Sequence, residues 1–189
     1  MIAASVRLNL KEPLMPSLII TLVGPDKPGL VEQVSNVAGE HGGNWLESRM
    51  CHLAGQFAGI VQVSGSSDVL KAIAADLEGL DDSGLQIQTQ TDDTAATSEG
   101  GQTWSVSVVG NDRPGIVREL SSALAGQSVN VEELTTHCAD APHGGGAIFR
   151  AEAQVRLPTD LTIEQLQEAL EGLASDLMVD VSPAGGSEG

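Results

Sequence analysis

The chain contains no tyrosine, two phenylalanines and two tryptophans. A sheet that reads single-stranded RNA needs aromatic side chains on which bases can stack, so that class is disfavoured at once. Cations are scarce too: nine Lys and Arg stand against 26 Asp and Glu, for a formal net charge of −17. Nucleic-acid affinity comes largely from cations neutralising phosphates, and an anionic membrane surface repels an acidic chain for the same reason. Direct nucleic-acid binding and membrane docking are therefore not expected, and the charge reads as a solvated acidic surface. The two cysteines, Cys51 and Cys138, form neither a disulfide framework nor a zinc motif, which suits a reduced, cytoplasmic setting. No apolar run has membrane-spanning length, and the first residues lack the apolar stretch of a signal peptide. There is no G-x-S-x-G, no P-loop and no zinc-protease motif, and no Ser/His/Asp set stands out. No catalytic residue, cofactor or metal is expected, and the chain reads as a non-enzyme.

What is present is a repeat. Val23-Gly24-Pro25-Asp26-Lys27-Pro28-Gly29-Leu30-Val31 returns as Val109-Gly110-Asn111-Asp112-Arg113-Pro114-Gly115-Ile116-Val117, 86 residues later. The register then holds without a gap, matching Ser35 to Ser121, Asn44 to Asn130 and Glu47 to Glu133. One module has been duplicated, and the repeat governs the fold.

In the first copy, Leu18 to Val23 is an apolar strand that ends at Gly24. Pro28 is expected at the first helical position, where its missing N–H costs nothing. Leu30, Val31, Val34, Val37 and Ala38 follow helical spacing, and Gly42-Gly43 stops the helix. Asn44 to Leu53 and Gln56 to Val63 read as a hairpin around Ala54-Gly55. Ser66, Ser67 or Asp68 can cap a second helix, whose stripe is Val69, Leu70, Ile73, Ala74 and Leu77. Leu85, Ile87 and Thr89 alternate with glutamines in a half-buried last strand. The second copy repeats this order, and Thr162 with Gln165 has the spacing of a capping box. Its second helix carries Ile163, Leu166, Leu170 and Leu173, after a longer Gly-rich loop at Pro142 to Gly146.

The order βαββαβ, found twice, predicts an α+β protein of two ferredoxin-like domains, each an antiparallel four-stranded sheet with both helices on one face. The expected division is an extension over 1–15, a first domain over 16–91, a linker over 92–102, a second domain over 103–183 and a disordered tail over 184–189.

The repeated turn is the site candidate. Gly24 and Gly110 allow backbone conformations closed to other residues. Gly29 and Gly115 expose N–H groups at a helix N-terminus, where the dipole favours an anion such as an amino-acid carboxylate. Asp26 and Asp112 either cap the helix or accept from a ligand's ammonium group. Lys27 and Arg113 either hold a carboxylate or face solvent. Cys51-His52 aligns in reverse with His137-Cys138, but strand neighbours point to opposite faces, so neither pair chelates one ion simply. His41 and His143 fall in loops and are expected to be solvated.

The G-x-D-[KR]-P-G-[LI]-V turn, the G-x-N or S-V-N before the second strand and the βαββαβ order together resemble the ACT domain. Two such domains in a short chain resemble the glycine cleavage system transcriptional repressor family, over about residues 16 to 183. The stretches Asn44-Trp45-Leu46-Glu47-Ser48-Arg49 and Asn130-Val131-Glu132-Glu133-Leu134 fit its two second strands. The resemblance implies a regulatory protein that senses a small amino acid, glycine or serine, with the ligand between the turn of one copy and the second strand of another. By position, the contacts are Asp26, Lys27, Pro28, Gly29, Leu30 and Asn44, and in the second copy Asp112, Arg113, Pro114, Gly115, Ile116 and Asn130. It further implies a protein partner, a transcription factor or a metabolic enzyme, control of glycine cleavage genes, and pairing of domains in a homodimer. Two alternatives stand beside this: an interaction module whose turns bind no ligand, and a detached regulatory subunit of an amino-acid metabolic enzyme.

Overall fold

A computed structural model describes residues 16–80, 84–92, 102–140, 146–172 and 176–184. The expected extension, residues 93–101 of the expected linker, the loop residues 142–145 with His143, Leu173, and the tail past 184 lie outside these. The chain divides into two compact units, Met1–Thr97 and Ser98–Gly189.

The first unit runs β1 (Ser17–Pro25), α1 (Leu30–Glu40), β2 (Asn44–Leu53), β3 (Gln56–Ser64), α2 (Ser67–Glu78) and β4 (Gln86–Asp92). The second runs β5 (Thr103–Asn111), α3 (Ile116–Gly126), β6 (Asn130–Asp140), β7 (Ala147–Arg156), α4 (Ile163–Glu171) and β8 (Leu177–Pro183). Each sheet is antiparallel throughout, ordered β2-β3-β1-β4 and β6-β7-β5-β8. This is the expected α+β, ferredoxin-like fold, twice.

The alternation of the central strands decides where the core lies. Leu18, Ile20 and Leu22 of β1 and Val61 and Val63 of β3 are buried against Leu30, Val34 and Ala38 of α1 and Leu70, Ile73 and Leu77 of α2. In the second unit, Val106, Val108, Ala151, Ala153 and Val155 meet Ile116, Leu120, Leu124, Leu166 and Leu170. Each fully buried Leu or Ile contributes on the order of 1.5–3 kcal/mol. Phe149 is buried in this core and Phe57 packs against the first one. The aromatic side chains therefore do not offer a stacking platform on the open face of either sheet.

Four local expectations need correction. Helix α1 starts at Leu30, with Gly29 as its N-cap at φ 91°, so Pro28 is not a helical residue; the left-handed glycine separates the proline from the helix. Val31 and Val117, assigned to the buried stripes, are exposed, because the core-facing row is Leu30–Val34–Ala38 and its repeat. Gly24 and Gly110 do not have positive φ; they are glycines because of a close approach described below. His41 caps the C-terminus of α1 and places Nε2 2.6 Å from Asp76 Oδ2 on α2, so it is a helix-to-helix contact rather than a solvated loop residue.

Both helices after the turn end in the same way. Gly42 has φ 76° and donates to Gly39 O, while Gly43 N–H donates to Ala38 O. In the repeat, Ser128 has φ 55° and donates to Ala125 O, while Val129 N–H donates to Leu124 O. These are Schellman closures, in which the residue past the C-cap is left-handed. The capping box of α4 is made in both directions, Gln165 N–H to Thr162 Oγ1 at 3.3 Å and Thr162 N–H to Gln165 Oε1 at 3.0 Å.

Candidate functional site: the repeated turn

The turn of each domain sits where β1 or β5 leaves the sheet. Asp26 N–H donates to Gly55 O at 3.0 Å, and Asp112 N–H donates to Ala147 O at 2.8 Å. These bonds tie the turn to the β2–β3 hairpin in one domain and to the start of β7 in the other. A Cβ on Gly24 would lie 2.6 Å from Gly84 O, and one on Gly110 would lie 2.8 Å from Asp176 O. The last residues of β1 and β5 therefore pass directly against the backbone entering β4 and β8.

The helix that follows begins bare. Gly29 and Gly115 are N-caps at φ 91° and 99°, and neither α1 nor α3 has a side-chain cap. Capping by Asp26 or Asp112 is thus excluded, and the first N–H groups of α1 and α3 have no intrahelical partner. The Asp side chains instead face the far end of the second strand. Gly24 and His52 both pair with Phe57, which brings His52 Nε2 to 3.7 Å from Asp26 Oδ2. In the repeat, Gly110 and Cys138 both pair with Phe149, which brings the Cys138 thiol within the influence of the Asp112 carboxylate. Desolvation of the sulfur by its neighbours and, secondly, the Asp112 charge push that thiol above its ordinary range, although the residue is exposed. Cys51 pairs with Ala58 and His137 with Arg150, on the opposite faces of their strands. No group of three or more metal-ligating side chains occurs among the described residues.

The two turns differ in their charges. Arg113 donates from Nη1 and Nη2 to the two carboxylate oxygens of Glu119, at 3.0 and 2.7 Å, and from Nε to Asp176 Oδ2 at 3.2 Å. The Glu119 bond first, and the Asp176 bond second, hold the guanidinium above its usual pKa, and the Arg113 bond holds Glu119 below the usual carboxylate range. Lys27 makes no ion pair among the described residues. Two further side chains stand beside the N-cap glycines. A Cβ on Gly29 would lie 3.9 Å from Glu32 Oε2, and one on Gly115 would lie 3.6 Å from Arg118 Nη2. A repeat alignment that weighs charge as well as identity would have singled out Glu32 against Arg118.

Asp26, Lys27, Pro28, Gly29 and Leu30 form one continuous turn, as do Asp112, Arg113, Pro114, Gly115 and Ile116, with Leu30 and Ile116 buried. Asn44 and Asn130 do not join them. Asn44 pairs with Ser64, across from Ser17, at the other end of the nine-residue β1; a rise of about 3.3 Å per residue makes that roughly 26 Å from the turn. The asparagines do not reach the turn of their own domain. Both second strands are edge strands and carry a bulge at the same place, between Trp45 and Glu47 and between Val131 and Glu133. In the second domain the bulge residue Glu132 is ion-paired to Arg156.

The fold and the repeated turn define a class. Residues 17–90 match the model of the ACT domain, so the first unit is an ACT domain, and the second unit repeats its topology strand for strand. It is related to the glycine cleavage system transcriptional repressor of Escherichia coli (strain K12), at 23% identity over 162 residues that cover 85% of each protein. Among solved structures, it is similar to an unknown protein from Galdieria sulphuraria, with TM-score 0.75, 27% identity and coverage of 90% of this chain and 99% of that one. It shares its fold with a structure provisionally assigned as a glycine cleavage system transcriptional repressor, with TM-score 0.66, 20% identity and the same coverage. No helix among the described residues is long and apolar enough to cross a membrane.

Proposed function

We propose that this is a non-enzymatic regulatory protein that senses a small amino acid, glycine or serine, at the turn of an ACT domain and acts through a protein partner to control glycine cleavage genes. The observation that carries the reading is the start of α1 and α3: an N-cap glycine, no side-chain cap, and a backbone open to an anion. A carboxylate there would accept from the free N–H groups and face the positive end of the helix. The ammonium group of the same ligand would find Asp26 or Asp112 on the other side of the turn. The related repressor of Escherichia coli supports the choice of gene target. The net charge of −17 favours repression through a partner over direct contact with DNA.

The test is calorimetry with glycine and serine on the full chain, after a thermal-shift screen of the common amino acids. Binding should weaken at least tenfold on Asp26→Asn or Asp112→Asn, according to which turn is used. These variants are preferable to bulky replacement of Gly29 or Gly115, whose φ of 91° and 99° would strain any side chain. If no amino acid raises the melting temperature or gives a heat of binding, the ligand-free interaction module replaces this reading. The exposed edge strands β2 and β6 are the surfaces it would use.

A further inference from the structure

We infer that Arg113 is a latch rather than a ligand contact: with Glu119 and Asp176 it fixes the second turn in place before any ligand arrives, while no such fork occurs at the first turn among the described residues. The inference deepens the sensing reading above and rests on it only where ligand affinity is concerned.

The geometry is specific. Arg113 lies in the turn, Glu119 on α3 and Asp176 on the segment entering β8, so one guanidinium ties together three separate stretches of chain. The Glu119 pair is a two-pronged fork with parallel bonds of 3.0 and 2.7 Å, and Nε is engaged by Asp176 at 3.2 Å. Three of its five N–H donors are thus committed to carboxylates. An incoming carboxylate could make a two-pronged pair only by displacing one that is already held in the preferred planar geometry. The three side chains are roughly one-third to one-half exposed, so solvent screens the pair, and its role is to hold position more than to add stability.

The first domain lacks each part of the device. The repeat register places Lys27 at the position of Arg113 and Gln33 at that of Glu119. Strand pairing places Gly84 at the position of Asp176, since Gly24 and Gly110 approach Gly84 and Asp176 in the same way. A lysine cannot make the fork, and both carboxylates are gone. Among the described residues, the first turn is therefore held by its backbone bond to Gly55, by packing of Leu30 and by the 3.7 Å approach of His52 to Asp26, without an arginine fork. Duplication has yielded one turn that is preset and one that is free to order around a ligand.

Hydrogen exchange on the intact chain tests the latch without reference to any ligand. Glu119→Gln combined with Asp176→Asn should speed amide exchange across 112–117 at least tenfold and leave 26–31 unchanged. Lys27→Arg combined with Gln33→Glu should build the fork in the first domain and slow exchange across 26–31. Exchange at 112–117 within twofold of wild type in the first variant would overturn the latch. Calorimetry with glycine and serine then tests the other half. Arg113→Lys, which keeps the charge and loses the fork, should leave the affinity within twofold, and a tenfold loss would make Arg113 a ligand contact. If neither amino acid binds wild type, the sensing reading fails, and the exchange data still decide the latch.

Discussion

Gly24 and Gly84 touch through their backbones: a methyl group on Gly24 would lie 2.6 Å from the Gly84 carbonyl oxygen and 3.2 Å from Leu85 Cα. The contact sets how closely the end of β1 approaches the start of β4, and hence where the turn begins. Moving the Leu85 side chain, whose Cδ2 would lie 3.2 Å away, does not relieve Gly24→Ala, since the nearest neighbour at 2.6 Å is backbone. It should destabilise the first domain by about 1–3 kcal/mol, the usual range for overpacking. Each core has one tryptophan against it, Trp45 in the first and Trp104 in the second. Urea unfolding followed by fluorescence in a Trp104→Phe background therefore reports the first domain alone. An unchanged midpoint there would show that the strands can separate at no cost.

Ser128 has φ 55° where its counterpart, Gly42, has φ 76°. Both close a helix by the same pair of backbone bonds, but only glycine is free of the Cβ penalty in this conformation. Ser128→Gly should therefore stabilise the second domain by about 0.5–1 kcal/mol, an estimate that includes the opposing gain in unfolded-chain entropy. The reverse change, Gly42→Ser, should cost the first domain a similar amount. A Trp45→Phe background, read by urea unfolding, isolates the second domain. A lower midpoint for Ser128→Gly would mean that the serine makes a compensating contact.

Much of this fold is legible in the sequence because two copies of one pattern constrain each other. The row Leu30–Val34–Ala38 and its repeat Ile116–Leu120–Leu124 face the cores because core packing obeys helical period, and period is a local property of sequence. Strand register follows the apolar alternation of Leu18, Ile20 and Leu22. The misread features are those set by partners far along the chain. Gly24 looks like a conformational glycine until Gly84 is placed beside it. Arg113 looks available until Glu119 and Asp176 converge on it. The bulges at Leu46 and Glu132 leave no composition signal, because they depend on the count of residues against β3 and β7. The turn itself could be chosen from its repetition, but its charges could not be paired from spacing.

The Cys138 thiol and the Asp112 carboxylate give a last test, of whether the turn Asp really faces the second strand. Desolvation and, after it, the negative charge of Asp112 raise the thiol above its ordinary range. A raised thiol pKa leaves less thiolate at a given pH, and the thiolate is the nucleophile. Asp112→Asn removes the charge and keeps the shape, so the thiol should fall toward, without reaching, its ordinary value, since desolvation remains. Alkylation of Cys138 by iodoacetamide at pH 8 should then speed up by roughly two- to fivefold, because reactivity follows the thiolate fraction. Cys51, on the opposite face of its own strand in the other domain, is the internal control, and peptide mass spectrometry separates the two. An unchanged Cys138 rate in Asp112→Asn would mean that the carboxylate does not sit at the sulfur. In that case Asp112 would lie free to meet a ligand's ammonium group without first giving up the thiol.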